Sequence, residues 1–309
     1  MTKKSLRDAY GEELLRLAKE NKNIVALDAD LSSSTRSAYL KDEFPERYFE
    51  MGIAEQNMTT TAAGLSLTGK IPFANSFAVF STGRSYDQIR QGIALPNLNV
   101  KIAGSSAGLS DYGDGATHQS IDDISIMRTL PNMTVISPMD AVETKKAVKA
   151  IVDYKGPVYL RVSRAELPVI MSENDEFEIG KMNLIEDGND ITIFANGLMV
   201  HKALEAREEL KKEGVTCKVV NVSTIKPLDK EEVKKYTSGV KGVVTAEEHS
   251  IIGGLGSAIT EVLSDELVKI KRVGVQDKFG QSACDYDVLL EHYGLTSQEI
   301  FNNIKELLK

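Results

Sequence analysis

Short apolar runs alternate along this chain with stretches in which apolar positions recur every three to four residues. Residues 23–30 and 71–77 are runs of the first kind, and residues 56–67 and 141–154 are stretches of the second kind. The first kind is typical of buried strands and the second of amphipathic helices. Strands that alternate with helices form a mainly parallel sheet with helices on both faces. The pattern therefore predicts an α/β fold with a doubly wound sheet.

The alternation lapses around residues 168–182, where a proline and a charged stretch interrupt it. A second, shorter series of strands and helices follows, beginning with ITIFANG at residues 191–197. A chain of 309 residues is also long enough for two domains of ordinary size. We therefore predict a first domain over 1–172, a smaller α/β domain over 183–309, and a linker at about 173–182.

Three polar loops follow predicted strands of the first domain: DADLSSST, AGSSAGLSDYGDGATHQ and RVSRAELP. In open parallel sheets, ligands bind beyond the carboxyl ends of the strands. We therefore expect these loops to gather at one edge of the sheet and to form the binding site. The GDG at 113–115 in the second loop matches neither GxGxxG nor GxxxxGK[ST].

Four side chains of this domain are candidates for chemistry, although each also has a structural explanation. Glu55 begins a predicted helix among apolar residues, where a carboxyl can hold or accept a proton near neutral pH, but a glutamate in the first helical turn is common. Phe77 and Phe80 are three residues apart, as core aromatics often are. His118 lies in a small-residue, acidic loop that suits an imidazole exchanging protons. Taken alone, these residues leave both interpretations open.

Other polar features of the chain favour structural roles. His201 lies in a charged helix and is predicted to be solvated. The glycine-rich GGLGSAI at 253–259 could bind an anion at a helix start, but tight helix–strand packing is the favoured interpretation. The four histidines lack the spacing of zinc ligands. We therefore predict no metal site made by this chain alone.

Acidic residues outnumber basic ones by 45 to 37, which gives a net charge of −8 and a pI near 5.3. This balance disfavours non-specific binding to nucleic acid, which requires basic patches. No apolar stretch reaches the about 18 residues of a membrane span, and the start of the chain lacks the apolar region of a secretory signal. Cys217 and Cys284 form no CxxC motif and are predicted to be free thiols in a reducing compartment. We therefore expect a cytoplasmic protein that binds neither nucleic acid nor a membrane.

Eight segments, taken in order, resemble the carboxyl-terminal half of transketolase. They are ADLSSS, MGIAEQNM, NSFAVFSTGRSYDQIRQ, AGLSDYGDGATHQSIDD, LPNMTVISPMDAVE and GPVYLRVSR in the first domain, and TAEEHSIIGGLGSAI and KFGQSA in the second. Because the resemblance covers essentially the whole chain with matching gaps, it is more specific than any single motif. The chain is thus similar to the pyrimidine-binding and carboxyl-terminal domains of that family, which form the carboxyl-terminal subunit in split transketolases.

The resemblance implies a thiamine diphosphate site in the first domain. Glu55 would be the catalytic carboxyl beside the ring nitrogen N1′, which shifts the aminopyrimidine to its imino form. Phe77 and Phe80 would form the apolar pocket for the ring, and Asp30 is a weaker candidate near the thiamine. The family's diphosphate-binding domain, with its GDG…N motif, would lie in a partner chain that holds Mg²⁺ or Ca²⁺, whereas the GDG at 113–115 lies in the substrate loop. The expected assembly is an α2β2 heterotetramer.

The implied reaction is the transfer of a two-carbon ketol unit from a ketose phosphate to an aldose. His118 and Asp114 would contact hydroxyls of the donor, and His118 would also act catalytically by shuttling protons. Arg164, Arg7 and Ser34 match positions that hold the sugar phosphate. Arginine suits that role because its planar guanidinium binds phosphate through two parallel hydrogen bonds.

One loop departs from the family pattern. Where the family reads THAGISVGEDG, this chain reads SSAGLSDYGDG: Ser106 replaces a histidine at the phosphate site, and Asp111, Tyr112 and Gly113 replace a Val-Gly-Glu run. Pentose phosphate specificity therefore does not follow, and a non-standard ketose phosphate such as apulose 4-phosphate is an alternative donor.

Three competing functions are less favoured than ketol transfer, and the motifs argue against two of them. The β subunit of a 2-oxoacid dehydrogenase shares the fold but lacks the DGxTHQ loop found here. A fragment of 1-deoxyxylulose-5-phosphate synthase would have a similar DGxTH loop. A non-catalytic subunit would be expected to lack Glu55 or the aromatic pair, and this chain has both.

Overall fold

The computed structural model describes residues 2–309, which form three β-sheets with helices between the strands. The strands are β1 (Lys3–Ser5), β2 (Ile24–Asp28), β3 (Tyr48–Glu50), β4 (Ile71–Phe77), β5 (Lys101–Ser105), β6 (Thr134–Ile136), β7 (Val158–Arg161), β8 (Glu166–Pro168), β9 (Asn183–Glu186), β10 (Ile191–Ala195), β11 (Cys217–Asn221), β12 (Thr224–Lys226), β13 (Gly242–Ser250) and β14 (Ile270–Val275). The helices are α1 (Leu6–Glu20), α2 (Ser32–Thr35), α3 (Ala38–Glu43), α4 (Glu55–Leu67), α5 (Tyr86–Ile89), α6 (Asp123–Arg128), α7 (Ala141–Asp153), α8 (Leu198–Lys212), α9 (Lys230–Thr237), α10 (Leu255–Val262), α11 (Tyr286–His292) and α12 (Ser297–Leu307).

The largest sheet has seven strands in the order β12–β6–β7–β5–β4–β2–β3, and all neighbours are parallel except β12 and β6. Successive side chains of a strand point to opposite faces of the sheet, so they pack into the two different apolar layers that cover those faces. Ala103 belongs to the layer that also contains residues of α1 and α7, whereas Ile102 belongs to the layer that contains residues of α4 and α6. Helices therefore cover both faces, and the predicted doubly wound α/β sheet is confirmed.

Helix α1 packs against one face of the first sheet. Its N-cap Ser5 accepts a hydrogen bond from the backbone N–H of Asp8 at 3.2 Å, which satisfies one free amide of the first turn. Leu6, Tyr10 and Leu14 recur at helical spacing and are all buried against the sheet and α7. Burying such a side chain contributes about 1.5–3 kcal/mol. Because Arg7 lies in the first turn, this packing also determines where its guanidinium can reach.

The second sheet has five strands in the order β14–β13–β10–β11–β9, and only β9 runs antiparallel to its neighbour. Residues of α8 and α12 cover one face, and residues of α9 and α10 cover the other. Residues 169–182, between β8 and β9, contain neither helix nor strand. The linker placed at about 173–182 lies in this segment, and the exact domain boundary stays a prediction.

Two elements differ from the sequence prediction. Strand β12 comes from the second half of the chain but pairs with β6 of the first sheet, with Thr224 opposite Ile136. Residues 85–95 have the sequence pattern of one continuous helix, but the structure has a short α5 between two π-helical turns, Phe80–Arg84 and Arg90–Ala94. A three-residue strand is too short to show a period, and the helical period does not distinguish a π-turn from an α-turn.

The prediction that His201 is solvated is wrong. The residue is 6% exposed, and its Nε2 atom lies 3.0 Å from the carbonyl oxygen of Met139. Burial lowers the pKa of His201, with the contact to Met139 opposing that effect. Charged residues on α8 suggested an exposed helix, but the His201 side of the helix packs onto the first domain.

The packing role predicted for residues 253–259 is confirmed. The carboxylate of Glu247 accepts hydrogen bonds from the backbone N–H groups of Leu255 and Gly256 at 2.7 and 2.8 Å, so that the first turn of α10 already has an anionic partner. A Cβ atom at Gly254 would lie 2.0 Å from Glu247 Oε2, which explains the glycine. Within residues 2–309, no helix is both long and apolar enough to cross a membrane.

Candidate active site

Loops that follow the strands of the first sheet meet at its carboxyl edge. The ring of Phe77, the last residue of β4, lies 6.2 Å from the ring of His118 in the loop after β5. Arg164, which follows β7, lies 2.9 Å from Asp111 in that same loop. The gathering of the polar loops that follow β5 and β7 is therefore confirmed, and it brings aromatic, acidic and basic groups to one edge.

Phe77, Phe80 and His118 form an aromatic cluster at this edge. The two phenylalanine rings stack with centroids 6.0 Å apart and an interplanar angle of 14°. The His118 ring stands edge-on to both, with its centroid 5.2 Å from that of Phe80. Phe77 is buried, whereas Phe80 and His118 are half-buried, so part of the cluster is accessible to a ligand. The hydroxyl of Thr117 lies 2.9 Å from Nδ1 of His118 and restrains the imidazole.

Glu55 lies beside this cluster as the first residue of α4, and its side chain is only 3% exposed. Its Oε1 atom accepts a hydrogen bond from Nη1 of Arg84 at 2.8 Å. The guanidinium of Arg84 also lies over the Phe80 ring, 4.6 Å from the centroid. Arg84 therefore connects the buried carboxyl to the aromatic cluster.

Arg84 was not identified from the sequence as a site residue. One signal could have found it, since it follows Phe80 by four residues, a spacing that places two side chains on the same side of a helix. The π-helical turn Phe80–Arg84 changes that geometry and directs Arg84 across the Phe80 ring toward Glu55.

The residues present fit one end of thiamine diphosphate. A protonated aminopyrimidine requires a carboxylate acceptor beside an apolar aromatic surface, and Glu55 with the Phe77–Phe80 pair provides both. The low dielectric of such a setting strengthens the contact to the carboxylate. For the diphosphate end, no group of three or more His, Cys, Asp or Glu side chains within residues 2–309 is arranged to hold a metal ion.

The second domain supports the substrate loop, residues 105–119. The carboxylate of Glu248 accepts hydrogen bonds from the backbone N–H of Leu109 and from the hydroxyl of Tyr286, both at 2.7 Å. The side-chain amide of Gln119 donates to the carbonyl oxygen of Gln281 at 3.0 Å. The shape of the loop is therefore fixed by residues that lie far from it in the sequence.

Ser106 lies in this loop with a left-handed φ of 53° and is fully buried. Its hydroxyl has no hydrogen-bond partner within the chain from residue 2 to 309. Asparagine, aspartate and histidine tolerate this backbone region better than most residues, and serine is not among them. The structure places Ser106 behind the surface of the site and does not bring it into the cavity that Arg7 and Arg164 line.

That cavity has a volume of about 610 Å³ and lies between the two domains, with Tyr286 on its opposite side. Nη1 of Arg7 donates to the carbonyl oxygen of Ser34 at 2.9 Å, and Nε of Arg7 is buried without a partner within residues 2–309. Burial lowers the pKa of Arg7, and the nearby positive charges of Arg36 and Arg164 lower it further. The structure thus brings Arg7, Ser34 and Arg164 together, as the resemblance implied.

Asp30 and Asp114 are both exposed. The backbone N–H of Asp30 donates to Glu50 at 2.9 Å, and no contact found in residues 2–309 joins Asp30 to the aromatic cluster. The buried acid at the end of β2 is Asp28, whose pKa burial raises to about 6. Asp114 lies near Asp111, and burial together with the charge of Asp114 raises the pKa of Asp111 while Arg164 opposes the rise.

Two protein-family models match the sequence. "Transketolase, pyrimidine binding domain" matches residues 2–169, and "Transketolase, C-terminal domain" matches residues 180–300. The two matches together cover most of the chain.

Three relatives match nearly the whole chain. The "Putative transketolase C-terminal section" of Methanocaldococcus jannaschii is 48% identical over 99% of this chain and 97% of its own length. The "6-deoxy-6-sulfo-D-fructose transketolase subunit SqwH" of a Clostridium species is 44% identical over 98% of this chain and 94% of its own length. A subunit of the apulose-4-phosphate transketolase of Phocaeicola vulgatus is 38% identical over 98% of this chain and 97% of its own length.

A solved structure described as "Split gene transketolase, inactive beta4 tetramer" has the same fold. It is 47% identical in sequence, with a TM-score of 0.91 over 98% of both chains. The chain therefore belongs to the transketolase family of transferases and contains the pyrimidine-binding and C-terminal domains of that family.

Proposed function

We propose that this chain is the carboxyl-terminal subunit of a split, thiamine-diphosphate-dependent transketolase, which transfers a two-carbon ketol unit from a ketose phosphate to an aldose. The observation that carries the proposal is the buried Glu55 carboxyl beside the stacked Phe77 and Phe80, with His118 against the same rings. A non-catalytic subunit would have no reason to keep this carboxyl and aromatic pair together.

When bound, thiamine diphosphate supplies the electron sink for breaking the bond between the ketose carbonyl carbon and the next carbon. Glu55 holds a proton at the ring nitrogen N1′ of the cofactor, and Phe77 and Phe80 exclude water from that contact. His118 moves protons to and from the donor hydroxyls. Asp114 binds a donor hydroxyl from the same loop, and Asp30 is a more distant neighbour of the thiamine.

The anionic end of the sugar binds beside Arg7 and Arg164, with Ser34 holding Arg7 in place. Ser106, which is buried within the loop, shapes the backbone at this end of the site. A non-standard ketose phosphate, such as apulose 4-phosphate, is the alternative donor, and the names of two relatives support sugars outside the ordinary pentose phosphates. The same names give no support to the β subunit of a 2-oxoacid dehydrogenase.

The site requires a partner chain. The names of the relatives, which include a C-terminal section and two subunits, support a second chain that carries the GDG…N diphosphate domain and its Mg²⁺ or Ca²⁺. The solved relative is described as an inactive tetramer of β subunits, which supports inactivity of this chain alone. We propose an α2β2 heterotetramer in the cytoplasm, where the two free cysteines stay reduced.

The test compares the isolated chain with the co-purified pair. Calorimetry with thiamine diphosphate and Mg²⁺ is expected to detect tight binding only for the pair, because the charged diphosphate is held through a metal. Micromolar binding to the isolated chain would contradict the split-enzyme proposal.

Turnover of the pair is then measured with xylulose 5-phosphate, apulose 4-phosphate and pyruvate. Ketol transfer from a sugar, without release of carbon dioxide, is the expected result. Decarboxylation of pyruvate in the absence of ketol transfer would instead favour the dehydrogenase or synthase functions.

A further inference from the structure

The anion site, by which we mean the part of the cavity that Arg7 and Arg164 line, has a carboxylate beside it at a position where the family pattern has a valine. Asp111, which stands where the family has a Val-Gly-Glu run, is 2% exposed and lies 2.9 Å from the Arg164 guanidinium. The second carboxylate oxygen, Oδ2, has no hydrogen-bond partner within residues 2–309. Arg164 is therefore the principal partner of a carboxylate that has little access to water.

The backbone holds Asp111 in this place. Its carbonyl oxygen accepts hydrogen bonds from the backbone N–H of Gly115 and from the side-chain amide of Gln119, both at 3.2 Å. The hydroxyl of Ser110 also accepts a hydrogen bond from the backbone N–H of Arg164 at 3.1 Å. Both ends of the ion pair are thus anchored, and an incoming ligand meets Arg164 with its charge already compensated.

The charges around the anion site can be counted from their contacts. Arg7, Arg36 and Arg164 lie within range of one another, Asp8 pairs with Arg36, and Asp111 pairs with Arg164. These three positive and two negative groups leave one net positive charge, which belongs to Arg7, and the exposed Asp114 beside Asp111 adds a further carboxylate. The only hydrogen bond of Arg7 within residues 2–309 goes to an uncharged carbonyl oxygen.

The remaining charged groups around the cavity add no net positive charge. Lys202 lies 3.5 Å from Glu205, and the acidic Asp285 and Asp287 line the same cavity. Lys3 on β1 and Glu166 on β8 also line the cavity, and their opposite charges cancel. A ligand with a second negative charge therefore gains little attraction here and meets additional carboxylates.

We propose that Asp111 is a specificity-determining residue, which limits the charge of the anion site so that a donor with a singly charged terminal group, such as a sulfonate, is preferred to one with a doubly charged phosphate. This inference rests on the proposed function, because it assigns the donor class of that same site. Asp111 acts through Arg164 and does not touch the reacting carbons.

The experiment uses the assembled enzyme with its partner subunit, thiamine diphosphate and Mg²⁺. Two donors with the same carbon skeleton are compared, 6-deoxy-6-sulfofructose and fructose 6-phosphate, and uncharged glycolaldehyde is the acceptor. At about pH 8 the phosphate is doubly charged, since its second pKa is about 6. We expect the wild type to have the higher kcat/KM with the sulfonate.

Asp111→Asn removes the charge but keeps the size of the side chain. We expect it to raise the ratio of kcat/KM for phosphate over sulfonate by about tenfold, mainly through KM, because the site gains one net positive charge. The control is Asp265→Asn, which removes an exposed carboxylate of the second domain that does not line this cavity, and it is expected to change the ratio by less than about threefold.

A second measurement needs no variant. In the wild type, lowering the pH from about 8 to about 6 protonates the phosphate donor and should raise its kcat/KM relative to that of the sulfonate. Three outcomes would each overturn the role of Asp111. The kcat/KM ratio could shift equally in Asp111→Asn and in the control variant, it could stay unchanged in Asp111→Asn, or the wild type could prefer the phosphate donor at about pH 8. Loss of turnover with every donor in the wild type would count against the proposed function itself.

Discussion

Glu55 is the residue whose proton chemistry the proposed reaction needs most. We expect Glu55→Gln to lower kcat of the assembled enzyme by about 10²–10⁴-fold while the protein still folds. Glutamine can hydrogen-bond to N1′ but cannot take up or release the proton, and the half-exposed Arg84 can be solvated by water when its partner is neutral. The measurements are kcat and thermal unfolding of the same preparation.

The matched control for Glu55 is Glu46→Gln, which removes a carboxylate whose side chain is 69% exposed and lies outside the site. It should leave kcat unchanged. A kcat for Glu55→Gln within about threefold of the wild type would exclude Glu55 from the proton transfer.

Ser106 allows a test of the altered loop. We expect the wild type to use xylulose 5-phosphate poorly. Ser106 is fully buried outside the cavity that Arg7 and Arg164 line, so the larger imidazole of Ser106→His must displace the loop, and this displacement carries to the cavity a donor that the short hydroxyl does not supply. The expected shift of kcat/KM toward xylulose 5-phosphate is roughly ten- to a hundred-fold. Ser106→Asn is the control, since asparagine also tolerates the left-handed backbone but carries no positive charge. Xylulose 5-phosphate as the best donor of the wild type would contradict this account.

Single residues also show how far a sequence can predict a site. Glu55, Phe77, Phe80 and His118 were named from the resemblance. The structure brings the three aromatic side chains together and connects the carboxyl to them through Arg84. Arg84 was missed because the spacing of four residues from Phe80 indicates only a shared side of a helix, whereas its direction toward Glu55 depends on a π-helical turn that the sequence period does not reveal.

At the scale of elements, the substrate loop depends on a segment of the second domain. A Cβ atom on Gly280 would lie 1.8 Å from Oε1 of Gln119, so Gly280→Ala must displace that side chain. Overpacking of this kind costs about 1–3 kcal/mol. We expect a lower melting temperature, faster hydrogen exchange over residues 105–119, and a raised KM for the donor.

Gly113→Ala is the control for this variant, because a Cβ atom there meets nothing within 4 Å although it lies in the same loop. Its melting temperature and hydrogen exchange should match those of the wild type. Equal effects of the two alanine variants would show that the contact between Gly280 and Gln119 does not hold the loop.

The main strands and helices were predictable because each is long enough to show its period. Strand β4, observed at Ile71–Phe77, coincides with the predicted run. Strand β12 was not predictable, since three residues carry no periodic signal and its partner β6 lies about ninety positions earlier in the chain.

At the scale of the whole molecule, the first domain exposes three large apolar side chains: one in the loop before α4, one at the last residue of α4 and one directly after the π-helical turn Arg90–Ala94. Ile53 is 76% exposed, Leu67 74% and Leu95 73%. Helix α4 packs against the π-helical turn that precedes Leu95, and contiguous exposed apolar surface is typical of a face that another chain covers. We expect the active species to be a heterotetramer with two copies of this chain, because each cofactor site in the proposed enzyme is completed by domains from different protomers.

Light scattering on the mixed subunits, with activity measured on each fraction, tests this assembly. Ile53→Asp should reduce assembly and activity together, whereas Leu267→Asp, on an exposed position of the second domain, should not. A one-to-one heterodimer with full activity would contradict the expectation.

The pairing of β12 with β6 has a consequence for how this protein can be divided. A gene fragment that ended near the linker would encode a first sheet without its edge strand, and the backbone groups of β6 would be left open to aggregation. Exchange of the carboxyl-terminal domain between relatives would have to carry a matching β12 with it. The two domains therefore have to be engineered as one unit, even though each has its own sheet.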